Sequence, residues 1–374
     1  MLFKSGSNLA QARPRLKREA ASALAHRAGR AARKLNCDPP PASLNCAYHM
    51  ASHASSSAWA HCSRREFLAA SAAFCGVCAA AGAAESTVAN PPPDPIVDIH
   101  QHTHYHGRTD QQMLAHQRAM GVTNTILLPA GRVIERPSTH SGKSNGLAAR
   151  CTGNEAVVEF AKAYPSEFLF GANEVTDLPE AKGEIEKYLK LGAKLIAEQK
   201  FGVQCDSPES ERLCALAADY GVPILLHFQE GTYNSGFQRL PVMLRKFPKT
   251  TFIMHAQTTW ANIDANYDWK SLYPTGPVAK GGLTSQYLAD HANCFADMSA
   301  GSGLNSLLRD DDHTRWFLEQ HQDKILYGSD CADTLGRGPG CQGAATIAAL
   351  RKYAASKTVE RKILFGNAKQ LFRL

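Results

Sequence analysis

Val97-Asp98-Ile99-His100-Gln101-His102 is the stretch from which the rest of the chain is read. Apolar and polar residues alternate with a period of two, the pattern of a strand, and that alternation turns His100 and His102 to one side. Asp98 is expected on the same side, one step deeper, in a supporting role. Two imidazoles at this spacing on the end of a strand begin a metal site if other strands deliver ligands to the same place.

Seven more β-branched or apolar runs follow, at 124–130, 168–175, 193–199, 223–228, 251–256, 294–299 and 325–330. Helix signals separate them. Ser207-Pro208-Glu209 offers an N-cap, a proline at the first helical position and a carboxylate near the positive end, with Tyr220-Gly221 as the stop. Residues 178–191 carry an apolar stripe of Ile185, Tyr188, Leu189 and Leu191, closed by Gly192. No gap between runs is short enough for a hairpin, so a wholly parallel sheet is expected. Eight strands alternating with helices predict a (β/α)8 TIM barrel, with closing helices over 343–355 and 359–372. The long connection 257–293, with Trp260, Tyr267, Trp269 and Tyr273, is expected to cap the barrel mouth.

In such barrels the chemistry gathers at the C-terminal ends of the strands. There the sequence places His100 and His102, Glu198, His227, His255 and Asp330. Neutral imidazoles and carboxylates are the ligands that first-row divalent ions prefer, so these six residues predict a metal centre. Residues following the strands are the candidates for substrate binding: Arg132, Gln199, Lys200, Gln229, Tyr233, Gln257 and Trp260. The cations suit a carboxylate, and the aromatics suit a ring or an apolar acyl group. His104, His106 and His116 are expected to face solvent, with His104 near enough to touch a substrate.

The set Asp-x-His-x-His on the first strand, a single His on strands five and six, and Tyr327-Gly328-Ser329-Asp330 on strand eight resembles the amidohydrolase superfamily. The ending Ile363-Leu364-Phe365-Gly366-Asn367-Ala368 is similar to its amidohydrolase-related branch, which includes decarboxylases. The resemblance covers 95–374. It implies that His100, His102, His227 and Asp330 bind metal, and that His255 is either a ligand to a second ion or a hydrogen-bonding catalytic residue. Glu198 departs from the carboxylated lysine of many binuclear relatives and resembles the TatD-type deoxyribonuclease arrangement, in which a glutamate links two metals. One or two ions are therefore implied, with zinc expected and manganese or iron accepting the same ligands. The implied reaction is hydrolysis of a small ester, lactone or amide, with Asp330 as the proton acceptor and His255 polarising the substrate. Metal-dependent decarboxylation of an aromatic or unsaturated acid and a non-catalytic metal-binding barrel are the alternatives.

Charge narrows the partners. The chain has 374 residues and a formal net charge of +7, but residues 1–84 hold 11 Lys/Arg against 3 Asp/Glu, leaving 30 against 31 in the body. A neutral body is unsuited to a nucleic-acid backbone, and no nucleic-acid partner is expected. Ser63-Arg64-Arg65-Glu66-Phe67-Leu68, followed by an Ala-rich run to Ala84, resembles a twin-arginine export signal. At about 16 residues the run is too short for a stable membrane span. The expected organisation is an upstream extension or basic tail at 1–49, a signal peptide at 50–84 and the barrel at 85–374. This implies the export machinery as a partner and a periplasmic protein. Six cysteines fall in the body at irregular spacing and predict no disulfide framework. Oligomeric state is open, a homodimer included.

Overall fold

The computed structural model describes residues 93–374 apart from 141, 143–145, 148 and 149. The signal-like segment and the residues before it lie outside the described residues. Along the body the order is β1 (Val97–Gln101), α1 (Asp110–Ala119), β2 (Asn124–Leu127), α2 (Asn154–Ala163), β3 (Phe168–Phe170), α3 (Ala181–Lys190), β4 (Ile196–Gln199) and α4 (Pro208–Tyr220). It continues with β5 (Ile224–His227), α5 (Leu240–Lys246), β6 (Phe252–His255), α6 (Gln257–Ala261), α7 (Leu283–Asp290) and β7 (Cys294–Asp297). The last elements are α8 (Ala300–Arg309), α9 (Asp311–Gln320), β8 (Ile325–Leu326), α10 (Gln342–Tyr353), α11 (Lys357–Arg361) and α12 (Asn367–Phe372).

Every strand pairs in parallel with its sequence neighbour in two runs, β1 to β3 and β4 to β8. A bridge between Ala172 and Ile196 joins the runs on one side. On the other, Ile99 N donates to Tyr327 O at 3.1 Å and Asp330 N donates to His100 O at 2.8 Å, which ties β8 back to β1. The result is the (β/α)8 barrel. Each strand is shorter than its apolar run; β4 loses 193–195 at its start, and in most of the others the residues past the ladder enter the loops that carry chemistry.

The core has two layers. Inside the barrel, Val97, Ile99, Ile126, Leu128, Leu195, Ala197, Leu225, Ile253 and Leu326 pack together, and Ala368 and Phe372 of α12 stopper the N-terminal end. Between strands and helices a larger cluster holds Ile196, Ile224, Leu226, Phe252 and Met254 against Ile185, Tyr188, Leu213 and Leu350. Neighbouring strand residues therefore serve opposite layers, as period two demands. Burying each such side chain contributes roughly 1.5–3 kcal/mol. The expected caps on α4 are present: Ser207 Oγ accepts from Ser210 N at 3.2 Å, and Gly221 stops the helix at φ 60°. Among the described residues no helix is long and apolar enough to cross a membrane.

Alternation fails at two places that matter. The β1–β2 register shifts between Asp98 and Gln101, and the β4–β5 register between Ile196 and Gln199. Such irregularities re-aim side chains near active sites. Because of the first, Asp98 does not share the side of His100: its Oδ2 accepts from Gln117 Nε2 of α1 at 3.0 Å and from Ser329 Oγ at 2.5 Å. Its Oδ1 accepts from the backbone N of His100 and of Ser329. Asp98 is a staple between β1, β8 and α1, buried so fully that its carboxyl is pushed above the usual range.

Candidate metal centre

The six residues expected at the strand ends converge. All are buried, Asp330 at 8% exposure being the most open. Glu198 lies between two groups of ligand atoms. Its Oε2 is 3.4 Å from His100 Nε2 and 3.5 Å from His102 Nε2. Its Oε1 accepts from His227 Nδ1 at 2.5 Å, which leaves Nε2 as the bare lone pair of that ring, and lies 3.6 Å from His255 Nε2. Asp330 completes the ring, with Oδ1 3.5 Å from His102 Nε2 and Oδ2 3.9 Å from His255 Nε2.

Hydrogen bonds on the far side of each ring fix what the near side can be. His102 Nδ1 donates to Leu128 O at 2.7 Å, and His100 Nδ1 donates to Asp297 Oδ2 at 2.6 Å. His255 Nδ1 faces Ser299 Oγ at 3.0 Å and Asp297 Oδ2 at 3.2 Å, while Ser299 Oγ donates to the same carboxylate. The protons of these imidazoles are thus committed outward, as second partners of metal-bound histidines usually arrange. Bare Nε2 lone pairs face one another, 3.2 Å apart in His100 and His102, and face carboxylate oxygens. Acceptors aimed at acceptors require a cation between them.

The unpaired atoms point the same way. Glu198 Oε2, His227 Nε2, His255 Nε2 and Asp330 Oδ1 are buried without a hydrogen-bond partner among the described residues. Left so, each costs about 1–3 kcal/mol or more. Nitrogen and oxygen donors of this kind fit one or two first-row divalent ions, and three groupings of them bring ligand atoms within 4.8 Å of one another. With no ion, protons are drawn in instead: although burial opposes it, the Asp330 and Asp297 carboxylates raise His100 to about 10. His227 moves oppositely, to about 3, through burial and the nearby Lys200 cation, which keeps it a neutral ligand. Burial resists ionisation of Glu198 and Asp330, yet Lys200 and the histidines hold Glu198 well below the usual range and His100 holds Asp330 low.

The centre opens into a cavity of about 440 Å³ bordered by His227, His255, Asp330, Gln257 and Tyr273. A larger one, of about 640 Å³, is bordered by Gln229, Tyr233, His140 and Arg150. Tyr105, His106 and Lys200 line both and mark where they meet. Lys200 Nζ is 4.0 Å from Glu198 Oε1. Of the substrate candidates, Lys200, Gln229, Tyr233 and Gln257 therefore reach the mouth, and so does Tyr273 from the long connection.

Three do not. Arg132 is held by Glu174 at 2.6 Å and Glu180 at 3.1 Å and borders neither cavity, because acidic residues after β3 capture it first. Trp260 is buried at 2% exposure and donates from Nε1 to Asp297 O at 3.1 Å, so it supports β7 from behind. Gln199 is turned into the wall, bonded to Asn173 and Thr176. His104 is exposed and pairs with Asp110, and His106 borders both cavities. His116 contradicts its expected exposure: it is fully buried beneath the loop after β8.

Sequence reasoning missed Asp297, Ser299 and Tyr105. Asp297 closes β7 as His227 and His255 close β5 and β6, which was the available signal. Tyr105 lies beside Asp330, and burial together with that carboxylate raises its hydroxyl well above the ordinary value.

An amidohydrolase family model matches residues 97–374. The chain belongs to the amidohydrolase family. This is an enzyme family, and its divalent-metal chemistry fits the donor set described above. No curated protein matches the chain. Among solved structures, an uncharacterised TIM-barrel protein from Bordetella bronchiseptica is 16% identical at a TM-score of 0.50, covering 75% of this chain and 98% of that one. A dihydroxybenzoic acid decarboxylase from Polaromonas with bound manganese is 16% identical, with a TM-score of 0.48 over 75% and 97% of the chains. A probable 2-pyrone-4,6-dicarboxylic acid hydrolase from Acinetobacter baumannii is 14% identical, with a TM-score of 0.47 over 75% and 99%. At these identities the likeness is one of fold.

Proposed function

We propose that this amidohydrolase hydrolyses a small anionic ester, lactone or amide with two divalent ions, zinc being the first to test. The observation that carries the reading is Glu198, whose two carboxylate oxygens face different histidine pairs, His100 with His102 and His227 with His255. That is the arrangement of a bridging ligand.

Divalent ions in this centre supply Lewis acidity and a nucleophile from water at neutral pH. His100, His102 and Asp330 would hold one ion, His227 and His255 the other, and Glu198 both. Asp330 is the ligand most open to the cavity and stays ionised, so it receives the proton of the attacking water and returns it to the leaving group. Tyr105, beside Asp330, donates to the oxygen on which charge develops. Lys200, with Gln229 and Tyr233 beyond it, orients an anionic group of the substrate in the larger cavity. The open cavity over His227, His255 and Asp330 argues against a closed, purely structural metal site.

Decarboxylation is the second reading, favoured by the basic lining of the larger cavity, where Lys200, Arg150, His106 and His140 suit a carboxylate. Product analysis decides between them. Lactones, esters and amides bearing a carboxylate should be opened with oxygen from solvent incorporated in the product; release of carbon dioxide from aromatic acids with no hydrolysis overturns the primary reading. Export is proposed from the segment at 63–84, and sequencing the mature N-terminus from a periplasmic fraction tests it. A mature chain beginning near Glu85 is expected, whereas an unprocessed cytoplasmic chain counts against export.

A further inference from the structure

A second group of metal-type ligands lies behind the active-site wall, where the function proposed above makes no use of it. Cys331 directly follows Asp330, and Cys341 caps the start of α10, its Sγ accepting from Ala344 N at 3.4 Å. Both are buried free thiols. His116 comes from α1 on the opposite side and is fully buried, with Nε2 3.4 Å from Cys341 Sγ. The two sulphurs are 3.9 Å apart. Met120, one turn beyond His116 on the same helix face, brings its Sδ to 3.8 Å from Cys341 Sγ. Gly343 leaves room for that thioether, since a Cβ there would meet Met120 Sδ at 2.8 Å.

The spacing has chemical meaning. A tetrahedral ion with zinc-type bond lengths holds two sulphurs about 3.8 Å apart and a sulphur and an imidazole nitrogen about 3.6 Å apart. A disulfide would need sulphurs at about 2.05 Å. The cysteine and histidine atoms lie mutually within 4.8 Å. His116 Nδ1 has no hydrogen-bond partner among the described residues, so thiols are the polar company this buried ring keeps. Two thiols and a thioether are soft donors and the imidazole a borderline one, in contrast to the nitrogen and oxygen set of the main centre.

We propose that His116, Cys331 and Cys341, with Met120 as the fourth donor, bind a thiophilic ion, zinc or cuprous copper. Its role is positional. It fastens the glycine-rich segment 331–341, which begins beside Asp330, to α1 and α10.

The test uses the full chain. Metal analysis of the native protein should give one more ion than Cys341→Ser, which keeps the ions lost on Glu198→Ala, and the identity of the missing ion separates zinc from copper. Cobalt-loaded native protein should show a thiolate-to-metal charge-transfer band in the near ultraviolet, absent in Cys341→Ser and retained in Cys151→Ser. Because Cys151 lies beside His102, the band of Cys151→Ser decides the matter even if Cys341→Ser does not fold: retained, it belongs to the second site; lost, it belongs to the main centre and overturns the proposal. Unchanged metal content in Cys341→Ser, a native cobalt spectrum without the thiolate band, or a Cys331–Cys341 disulfide found by peptide mass would each overturn the proposal.

Discussion

One carboxylate oxygen of Asp297 serves two histidines: Oδ2 is 2.6 Å from His100 Nδ1 and 3.2 Å from His255 Nδ1. These rings belong to different halves of the donor set, so a single residue on β7 sets the tautomer and the angle of both. Asp297→Asn keeps the shape but can no longer accept from both rings in the same way. Metal affinity is expected to fall by about 10–100-fold, the usual effect of losing such a partner. Metal titration of the chelated protein checks it, and unchanged affinity would remove Asp297 from the account.

Glu198→Gln should reduce the bound metal of the main centre from about two ions to about one, because only a carboxylate can bridge two ions effectively. About one ion in both proteins would leave a mononuclear centre, and about two in both would show that Glu198 is not what holds the second.

Stability should respond to pH differently with and without metal. In the chelated protein His100 is raised to about 10, above its ordinary value of 6.5. A raised folded-state pKa contributes stability that is full below 6.5 and is lost as pH rises through 10. Melting temperature of the chelated protein should therefore decline across that window. The metal-loaded protein should not show the decline, since the ion replaces the proton. Parallel curves would show that no ion competes at His100.

Lys200→Met should raise KM for a carboxylate-bearing substrate by about 10–100-fold, the loss of one charge-assisted hydrogen bond, with a smaller change in kcat. A neutral analogue should be nearly indifferent. Equal losses for both substrates would assign Lys200 to the Glu198 charge balance alone.

Gly328 admits no side chain. A Cβ there would lie 2.4 Å from Asp297 Oδ1, 2.8 Å from His100 Cβ and 3.0 Å from Ser299 Cβ. Gly328→Ala should cost about 1–3 kcal/mol in chemical denaturation and weaken metal binding at the same time. Loss of stability with full metal affinity would show that β8 yields without disturbing Asp297.

The barrel was legible because eight apolar runs recur with helix punctuation, and the donor set because its residues stand where those runs end. What stayed hidden depends on contacts between distant segments. Asp98 follows the alternation rule on paper, but the register shift in β1 hands it to Gln117 and Ser329. Arg132 is suitably placed after β2, yet nothing local announces that Glu174 and Glu180 will bind it. Trp260 was expected at the substrate and His116 at the surface, but the partners that bury them, Asp297 O and Cys341, are 37 and 225 residues away. Asp297 was the one omission that position alone could have repaired.

The closure of β8 onto β1 has a temporal consequence. His100 and Asp330 come from opposite ends of the body, and the α12 stopper is formed by its last residues. During synthesis His100 emerges long before Asp330, and the α12 stopper follows both. The six-residue donor set is therefore complete only after β8 has been made and has closed on β1, so the metal available at that late moment is expected to decide which ion enters it.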